Sequence, residues 1–132
     1  MRDVVFVDDD QDLLEATRDV LQYSGLARRV VVARSLAELM DQREEALVCT
    51  LAILDINLGK DVPNGMDVFH WLRRERFAGE IVFLTGHAAD NPLVTAAMQL
   101  GAQRIYIKPI EMAELAGLVQ GDGADFTITP GQ

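Results

Sequence analysis

The chain has 132 residues, 49% of them hydrophobic, which is enough for one domain with a single sizeable core. Its formal net charge of -9 argues against unspecific binding to nucleic-acid phosphates and favours divalent cations and basic partner surfaces. Cys49 is the only cysteine, so no internal disulfide forms, and no apolar run approaches the roughly 18 residues that span a bilayer. A soluble, cytoplasmic domain without a signal peptide is expected, with no membrane partner and no direct binding to nucleic acid.

A run of strand-forming residues at 4–7 opens the chain and ends in three aspartates. From Asp10, a residue type suited to the N-cap position, apolar residues recur at helical spacing until Gly25 predicts a stop. A second β-branched run at 29–33 predicts the next strand. Parallel strands need such a helical crossover between them, so this order favours a parallel pair.

Ser35 and Glu38 have the spacing of a capping box and predict the start of a second helix. The run at 51–54 predicts a third strand, which ends on Asp55. A loop that contains glycine and proline then leads into a third helix over about 66–72.

The fourth predicted strand covers 81–84. Asn91 and Pro92 read as an N-cap followed by proline at the first helical position, and so begin a fourth helix. The run at 105–107 predicts the fifth strand, and a last helix follows over about 112–118.

Five strands alternating with five helices predict an α/β fold with a doubly wound, three-layer architecture around a five-stranded parallel sheet. Near-continuous apolar strands agree with burial on both faces of that sheet. We expect one domain over 1–120, followed by a flexible tail or truncated linker over 121–132, which is rich in glycine and aspartate. In such sheets the chemistry lies at the carboxyl ends of the strands.

Polar side chains follow four of the five predicted strands: Asp8, Asp9 and Asp10 after the first, Asp55 after the third, Thr85 after the fourth and Lys108 after the fifth. Because the carboxyl ends of parallel strands share one edge of the sheet, these side chains are expected to converge. Like charges there repel unless a cation lies among them or one group keeps its proton. Taken singly, each has a simpler interpretation as a helix cap, a turn residue or a solvated surface charge.

Five segments together carry a family resemblance: VDDD at 7–10, LDIN at 54–57, NGMDV at 64–68, TGH at 85–87 and GAQRIYIKP at 101–109. In this order and spacing the chain resembles the receiver domain of two-component response regulators, the CheY-like superfamily. The resemblance covers residues 2 to about 120. It implies a flavodoxin-like sheet of strand order 2-1-3-4-5.

The resemblance implies that Asp55 is a phosphoacceptor. It also implies a Mg²⁺ ion, for which Mn²⁺ substitutes, held by oxygen ligands: Asp9 and Asp55 directly, Asp8 through water, and the backbone carbonyl of Asn57. Lys108 would pair with a phosphoryl oxygen, and Thr85 would donate its hydroxyl to the phosphate. The acidic cluster that follows the first strand then has a physical reason, because a divalent cation offsets its repulsion.

The implied partners are a sensor histidine kinase or a histidine phosphotransfer protein. Phosphorylation would shift the face formed by the fourth helix, fifth strand and fifth helix, and so control a partner or output domain. Homodimerisation through that face is a habit of the family. No enzymatic activity is expected beyond self-phosphorylation from small donors and autodephosphorylation.

The chain departs from the family pattern at the fifth strand and in the loop after the third. Ile105 occupies a position that is usually aromatic, and Tyr106, one step later, is expected on the other face of the sheet. We therefore expect switching to rely on an aliphatic shift or on loop movement. The loop from Asp55 to Gly65 is about two residues longer than usual, and His87 is a candidate modulator of autodephosphorylation.

Two other functions remain open at the level of sequence. A Mg²⁺-dependent aspartyl phosphohydrolase usually has a second carboxylate two residues after the nucleophile, but that residue here is Asn57, which cannot transfer a proton. A phosphorylation-independent interaction scaffold is supported only by Ile105. A flavodoxin-type carrier is disfavoured, because the first strand leads into carboxylates and not into a phosphate-binding loop.

Overall fold

A computed structural model of the chain describes residues 2–59, 63–86, 95–96, 99, 104–108 and 110–120. Its strands are β1 (Arg2–Val7), β2 (Ala27–Ala33), β3 (Leu51–Asp55), β4 (Glu80–Thr85) and β5 (Arg104–Ile107). Among the described residues these five strands form one all-parallel sheet in the order β2-β1-β3-β4-β5. The predicted α/β fold and its strand order, 2-1-3-4-5, are confirmed.

The helices with described bounds are α1 (Gln11–Tyr23), α2 (Leu36–Met40), α3 (Arg43–Leu47), α4 (Gly65–Arg74) and α5 (Met112–Gln120). Residues 95, 96 and 99 are also helical, whereas the predicted helix start at Asn91 and Pro92 lies outside the described residues.

The second crossover differs from the prediction, because its single predicted helix is two short helices, α2 and α3. Between them, the backbone of Gln42 leaves the helical region, with φ −114° and ψ 29°. The side-chain amide of Gln42 donates a hydrogen bond of 2.9 Å to the carbonyl of Val32, on the edge strand β2. This contact ties the bend to the sheet, which the capping signal at Ser35 could not indicate.

The sheet has a hydrophobic layer on each face, as the predicted three-layer architecture requires. Along β1, Val5 and Val7 pack on the side of α2, α3 and α4, and we call that layer the α4-side core. Val4 and Phe6 pack on the opposite side, with α1 and α5, in the α5-side core. This alternation follows from the two-residue period of a strand, and burial on both faces explains why the strands are apolar throughout.

The register places the polar strand ends level with one another. Val7, the last residue of β1, pairs with Leu54, and Asp55 pairs with Leu84 on β4. Thr85 in turn pairs with Ile107 on β5. The residues that follow therefore emerge at one edge of the sheet.

Within the described part of the chain, no helix combines the length and the apolar character that crossing a membrane would need.

Phe83 offers a test of the α4-side core, because it is the largest of the fully buried side chains that the structure describes and packs against Phe69 at a ring-centroid distance of 5.9 Å. We expect Phe83→Ala to lower the free energy of unfolding by about 3–5 kcal/mol, since it removes buried contacts and leaves a cavity. Tyr23→Ala, at a side chain that is 89% exposed, is the control and should change it by less than about 0.5 kcal/mol. Urea denaturation measures both, and equal losses would contradict this description of the core.

Candidate functional site

Asp8 is fixed where β1 ends. Its backbone N–H donates to the carbonyl of Ala33 at 3.1 Å, and its Oδ1 accepts a hydrogen bond from the backbone N–H of Asp10 at 2.9 Å. The side chain is fully buried. Asp10 itself caps α1, because its Oδ1 accepts from the backbone N–H of Leu13 at 3.1 Å, which confirms the N-cap prediction. The side chain of Asp8 thus lies in the site, whereas that of Asp10 caps the N-terminus of α1.

Asp55 ends β3 with its carboxylate almost completely buried. Its Oδ1 accepts from the backbone N–H of Asn57 at 3.2 Å, and its Oδ2 accepts from Nζ of Lys108 at 3.0 Å. Each carboxylate oxygen therefore has a hydrogen-bond donor on a different segment of the chain. Two such contacts hold the carboxylate in one orientation at the edge of the sheet.

Lys108 brings its ammonium group between two carboxylates. Nζ lies 2.7 Å from Oδ2 of Asp8 and 3.0 Å from Oδ2 of Asp55. The ion pair with Lys108 is the contact that the structure gives this buried oxygen of Asp8. Burial lowers the pKa of Lys108, but the attraction of the two carboxylates outweighs it and the pKa is raised.

Asp9 completes a cluster of three carboxylates, since one ligand oxygen from each of Asp8, Asp9 and Asp55 lies within 4.8 Å of the others. Asp9 is exposed, whereas the other two are buried. Among the residues that the structure describes, three negative groups face the one ammonium of Lys108, so two negative charges are left uncompensated there. Hard oxygen ligands within reach of one another and this excess of negative charge both suit a divalent cation such as Mg²⁺.

The cluster also shifts the acidity of Asp55. Burial raises its pKa to about 6 from an ordinary value of 3.8, and the negative charge of Asp8 acts in the same direction. Lys108 and the N–H of Asn57 lower the pKa but offset only part of this effect. At neutral pH Asp55 is thus mostly ionised, and its ionised form carries an electrostatic cost.

Thr85 and Asn57 border the cluster. Thr85 is the last residue of β4 and is buried, and its backbone carbonyl accepts a hydrogen bond of 2.8 Å from the N–H of Lys108. Asn57 follows β3 in an exposed position, and its side-chain Oδ1 accepts from the N–H of Gly59 at 3.1 Å. All the sequence-predicted site residues therefore lie at one edge of the sheet, apart from His87, which lies outside the described residues.

Tyr106 and Ile105 lie on opposite faces of the sheet, as their spacing predicts. Ile105 packs against the α4-side core, whereas Tyr106 packs against the α5-side core. The side chain of Tyr106 is therefore separated by the sheet from the position where the family usually has an aromatic residue.

Sequence reasoning missed one neighbour of the site, Gly65. This first residue of α4 is buried behind Asp55, and its N–H donates to the carbonyl of Ile56 at 2.8 Å. The signal was present in the sequence, because glycine is an unusual first residue for a helix that already has Asn64 as its N-cap.

A family model described as the response regulator receiver domain matches residues 4–120. The chain belongs to this family. The protein is therefore a receiver domain of a response regulator and a switch of two-component signalling. Receiver domains are in general signalling domains and not true enzymes, and they typically bind Mg²⁺ at an acidic pocket.

Solved structures of receiver domains share the fold. The receiver domain protein (CheY-like) from Methanospirillum hungatei JF-1 superposes with a TM-score of 0.75 at 21% identity, covering 95% of each chain. The receiver domain of NtrX from Brucella abortus gives a TM-score of 0.72 at 20% identity, over 95% of this chain and 100% of that one. A receiver domain protein from Clostridium thermocellum gives 0.69 at 21% identity, over 90% and 91%. No curated protein sequence matches the chain significantly.

The raised pKa of Asp55 predicts a pH-dependent stability in metal-free protein. Because the folded state holds this proton more tightly than the unfolded chain, stability is lost as the pH rises from about 4 to about 6. Asp55→Asn removes the ionisation, so we expect it to raise the free energy of unfolding by about 1–3 kcal/mol at about pH 7.5 and by clearly less at about pH 4.5.

Urea denaturation in the presence of a chelator measures this difference. Asp9→Asn is the matched control, because Asp9 belongs to the same cluster but is exposed, and its effect should be small at both pH values. A gain for Asp55→Asn that is the same at both pH values would contradict the electrostatic explanation.

Proposed function

We propose that this receiver domain is switched by Mg²⁺-dependent phosphorylation of Asp55. The supporting observation is the placement of its carboxylate, which is buried at a strand end and lies 3.0 Å from the ammonium of Lys108 within a cluster of three carboxylates. The donor is the phosphohistidine of a sensor kinase or of a histidine phosphotransfer protein. A carboxylate oxygen of Asp55 attacks phosphorus, a P–O bond forms, and the P–N bond to histidine breaks.

Asp8, Asp9, Asp55 and the backbone carbonyl of Asn57 hold the cation in this proposal, with Mn²⁺ as a substitute for Mg²⁺. When bound, the cation supplies the positive charge that offsets the repulsion between Asp55 and the incoming phosphoryl group. The excess negative charge of the cluster and the short distances among its three carboxylates support this assignment.

Lys108 acts on the transferred group. Its ammonium already lies beside both buried carboxylates, so it needs little movement to pair with a phosphoryl oxygen and stabilise the charge that develops there. Thr85 donates its hydroxyl to the phosphate. This role is supported by its position on β4, where the neighbouring Leu84 pairs with Asp55. The phosphate then links the ends of three adjacent strands.

Phosphorylation changes the face formed by the predicted helix at about 91–101, β5 and α5, which then binds an output partner or a second copy of the chain. A domain boundary near residue 120 and a cytoplasmic location belong to the same proposal. An aspartyl phosphohydrolase is less well supported, because the amide of Asn57 cannot act as a general acid and its side-chain oxygen already accepts from Gly59.

Incubation with acetyl phosphate and Mg²⁺, followed by intact mass spectrometry, tests the central step. We expect one phosphoryl group on the wild-type chain and none on Asp55→Asn. Asp12→Asn, an exposed aspartate at the start of α1, is the matched control and should behave as wild type. Omitting Mg²⁺ should abolish labelling, whereas Mn²⁺ should restore it. Labelling that persists in Asp55→Asn would remove the proposal.

The position of Tyr106 predicts an unusual switch. Since the sheet separates this ring from the α4-side core, we expect phosphorylation to move the methyl groups of Ile105 and to leave the ring of Tyr106 in place. NMR of protein labelled on tyrosine rings and isoleucine methyl groups measures this, and Tyr23, the other tyrosine, is an exposed internal reference. A ring shift at Tyr106 as large as the Ile105 shift would refute it.

A further inference from the structure

We propose that Gly65 is a positioning residue for Asp55. Because Gly65 has no side chain, α4 lies directly against the main chain of Asp55, and this close contact determines where Asp55 lies at the site. The inference rests on the proposed phosphorylation of Asp55, and it concerns a residue that contributes no side chain to the chemistry. Two contacts carry it: a hydrogen bond from Gly65 to the residue after Asp55, and a backbone approach that leaves no room for a side chain.

The approach is much closer than a side chain would allow. A Cβ atom on Gly65 would lie 2.3 Å from the carbonyl oxygen of Asp55, 2.8 Å from Cα of Ile56 and 3.0 Å from the carbonyl carbon of Asp55. Ordinary van der Waals contact begins at 3.4 Å. All three atoms belong to the main chain, so a rotamer change cannot relieve the overlap. Any side chain at 65 must displace either α4 or the strand end by about 1 Å.

The helix has little freedom to retreat. Its N-terminus is fixed by a capping box, in which Oδ1 of Asn64 accepts from the N–H of Asp67 and a carboxylate oxygen of Asp67 accepts from the N–H of Asn64. Further along, the helix buries four side chains in the α4-side core: Val68, Phe69, Trp71 and Leu72. Retreat of α4 would open that core, which packs at the density of a protein interior.

The strand end is also held from its other side. The N–H of Ile56 donates to the carbonyl of Leu84 at 2.9 Å, and β3 lies between β1 and β4. The carboxylate of Asp55 moves with its own main chain, so displacement of the strand end alters its hydrogen bonds from Asn57 at 3.2 Å and from Lys108 at 3.0 Å. A side chain at position 65 would therefore displace Asp55, the proposed phosphoacceptor. Misplacement of a reacting group by about 1 Å can slow a reaction about 100-fold.

Gly65→Ala tests this with two kinds of measurement. In metal-free protein, NMR follows the backbone amide of Asn57, which donates to Asp55, and hydrogen exchange follows the amide of residue 65, which donates to Ile56. We expect the first signal to shift and the second to exchange faster. With acetyl phosphate and Mg²⁺, the initial rate of phosphorylation per folded molecule should fall about 10- to 100-fold. Gly117→Ala is the matched control, because a Cβ there meets nothing within 4 Å.

If Gly65→Ala does not fold, removing the helix cap gives an independent measurement. Asn64→Ala loosens the start of α4, whereas Ser35→Ala removes the equivalent cap of α2 and leaves α4 intact. We expect the amide of Asn57 to shift, and the rate per folded molecule to change, only in Asn64→Ala.

The outcomes separate this inference from the proposed function. A wild-type chain that accepts no phosphoryl group overturns both. A wild type that is labelled at Asp55, together with a folded Gly65→Ala variant that keeps the wild-type rate and the Asn57 amide shift, overturns only the role of Gly65. If Gly65→Ala does not fold, the comparison of Asn64→Ala with Ser35→Ala decides. The role of Gly65 is overturned if these two variants show the same Asn57 amide shift and the same phosphorylation rate per folded molecule.

Discussion

The site depends on the repulsion among carboxylates that the parallel sheet brings together. Two like unit charges about 4 Å apart repel by roughly 4 kcal/mol at the effective dielectric of a protein surface, a large fraction of the stability of a small domain. Lys108 offsets part of this repulsion by lying 2.7 Å from Asp8 and 3.0 Å from Asp55. Burial, together with the remainder of this repulsion, raises the pKa of Asp55, and the remaining negative charge gives a divalent cation an electrostatic reason to bind.

The position of Lys108 also connects the site with strand β5. The Lys108 ammonium is shared by two carboxylates, and in the proposed function a cation and a phosphoryl group would change which negative groups it faces. Lys108 follows directly after β5, and its backbone N–H is bonded to Thr85. In the proposed function, a change at Lys108 would therefore act first on the end of the edge strand β5. On that strand, Ile105 lies on the face of the α4-side core and Tyr106 on the face of the α5-side core.

Much of the fold follows from local pattern. The five apolar runs alternate with helical spacing, and parallel order follows because each pair of strands is joined by a crossover. The second crossover was predicted less well, since its bend depends on a contact between Gln42 and Val32. That contact joins a helical segment to an edge strand, and no periodicity within either segment encodes it. Capping residues in the sequence indicate where a helix begins, whereas packing against the sheet determines where it ends.

For the site, the sequence by itself determined which residues follow the strands: Asp8, Asp9, Asp55, Thr85 and Lys108. Their convergence could be predicted because parallel strands end at one edge of a sheet. Only the tertiary structure decided that Asp9 is exposed while Asp8 and Asp55 are buried, and that Gly65 lies against the main chain of Asp55. The physical reason is that burial, pKa and close backbone approach arise from packing between segments distant in sequence, whereas strand ends are properties of single segments.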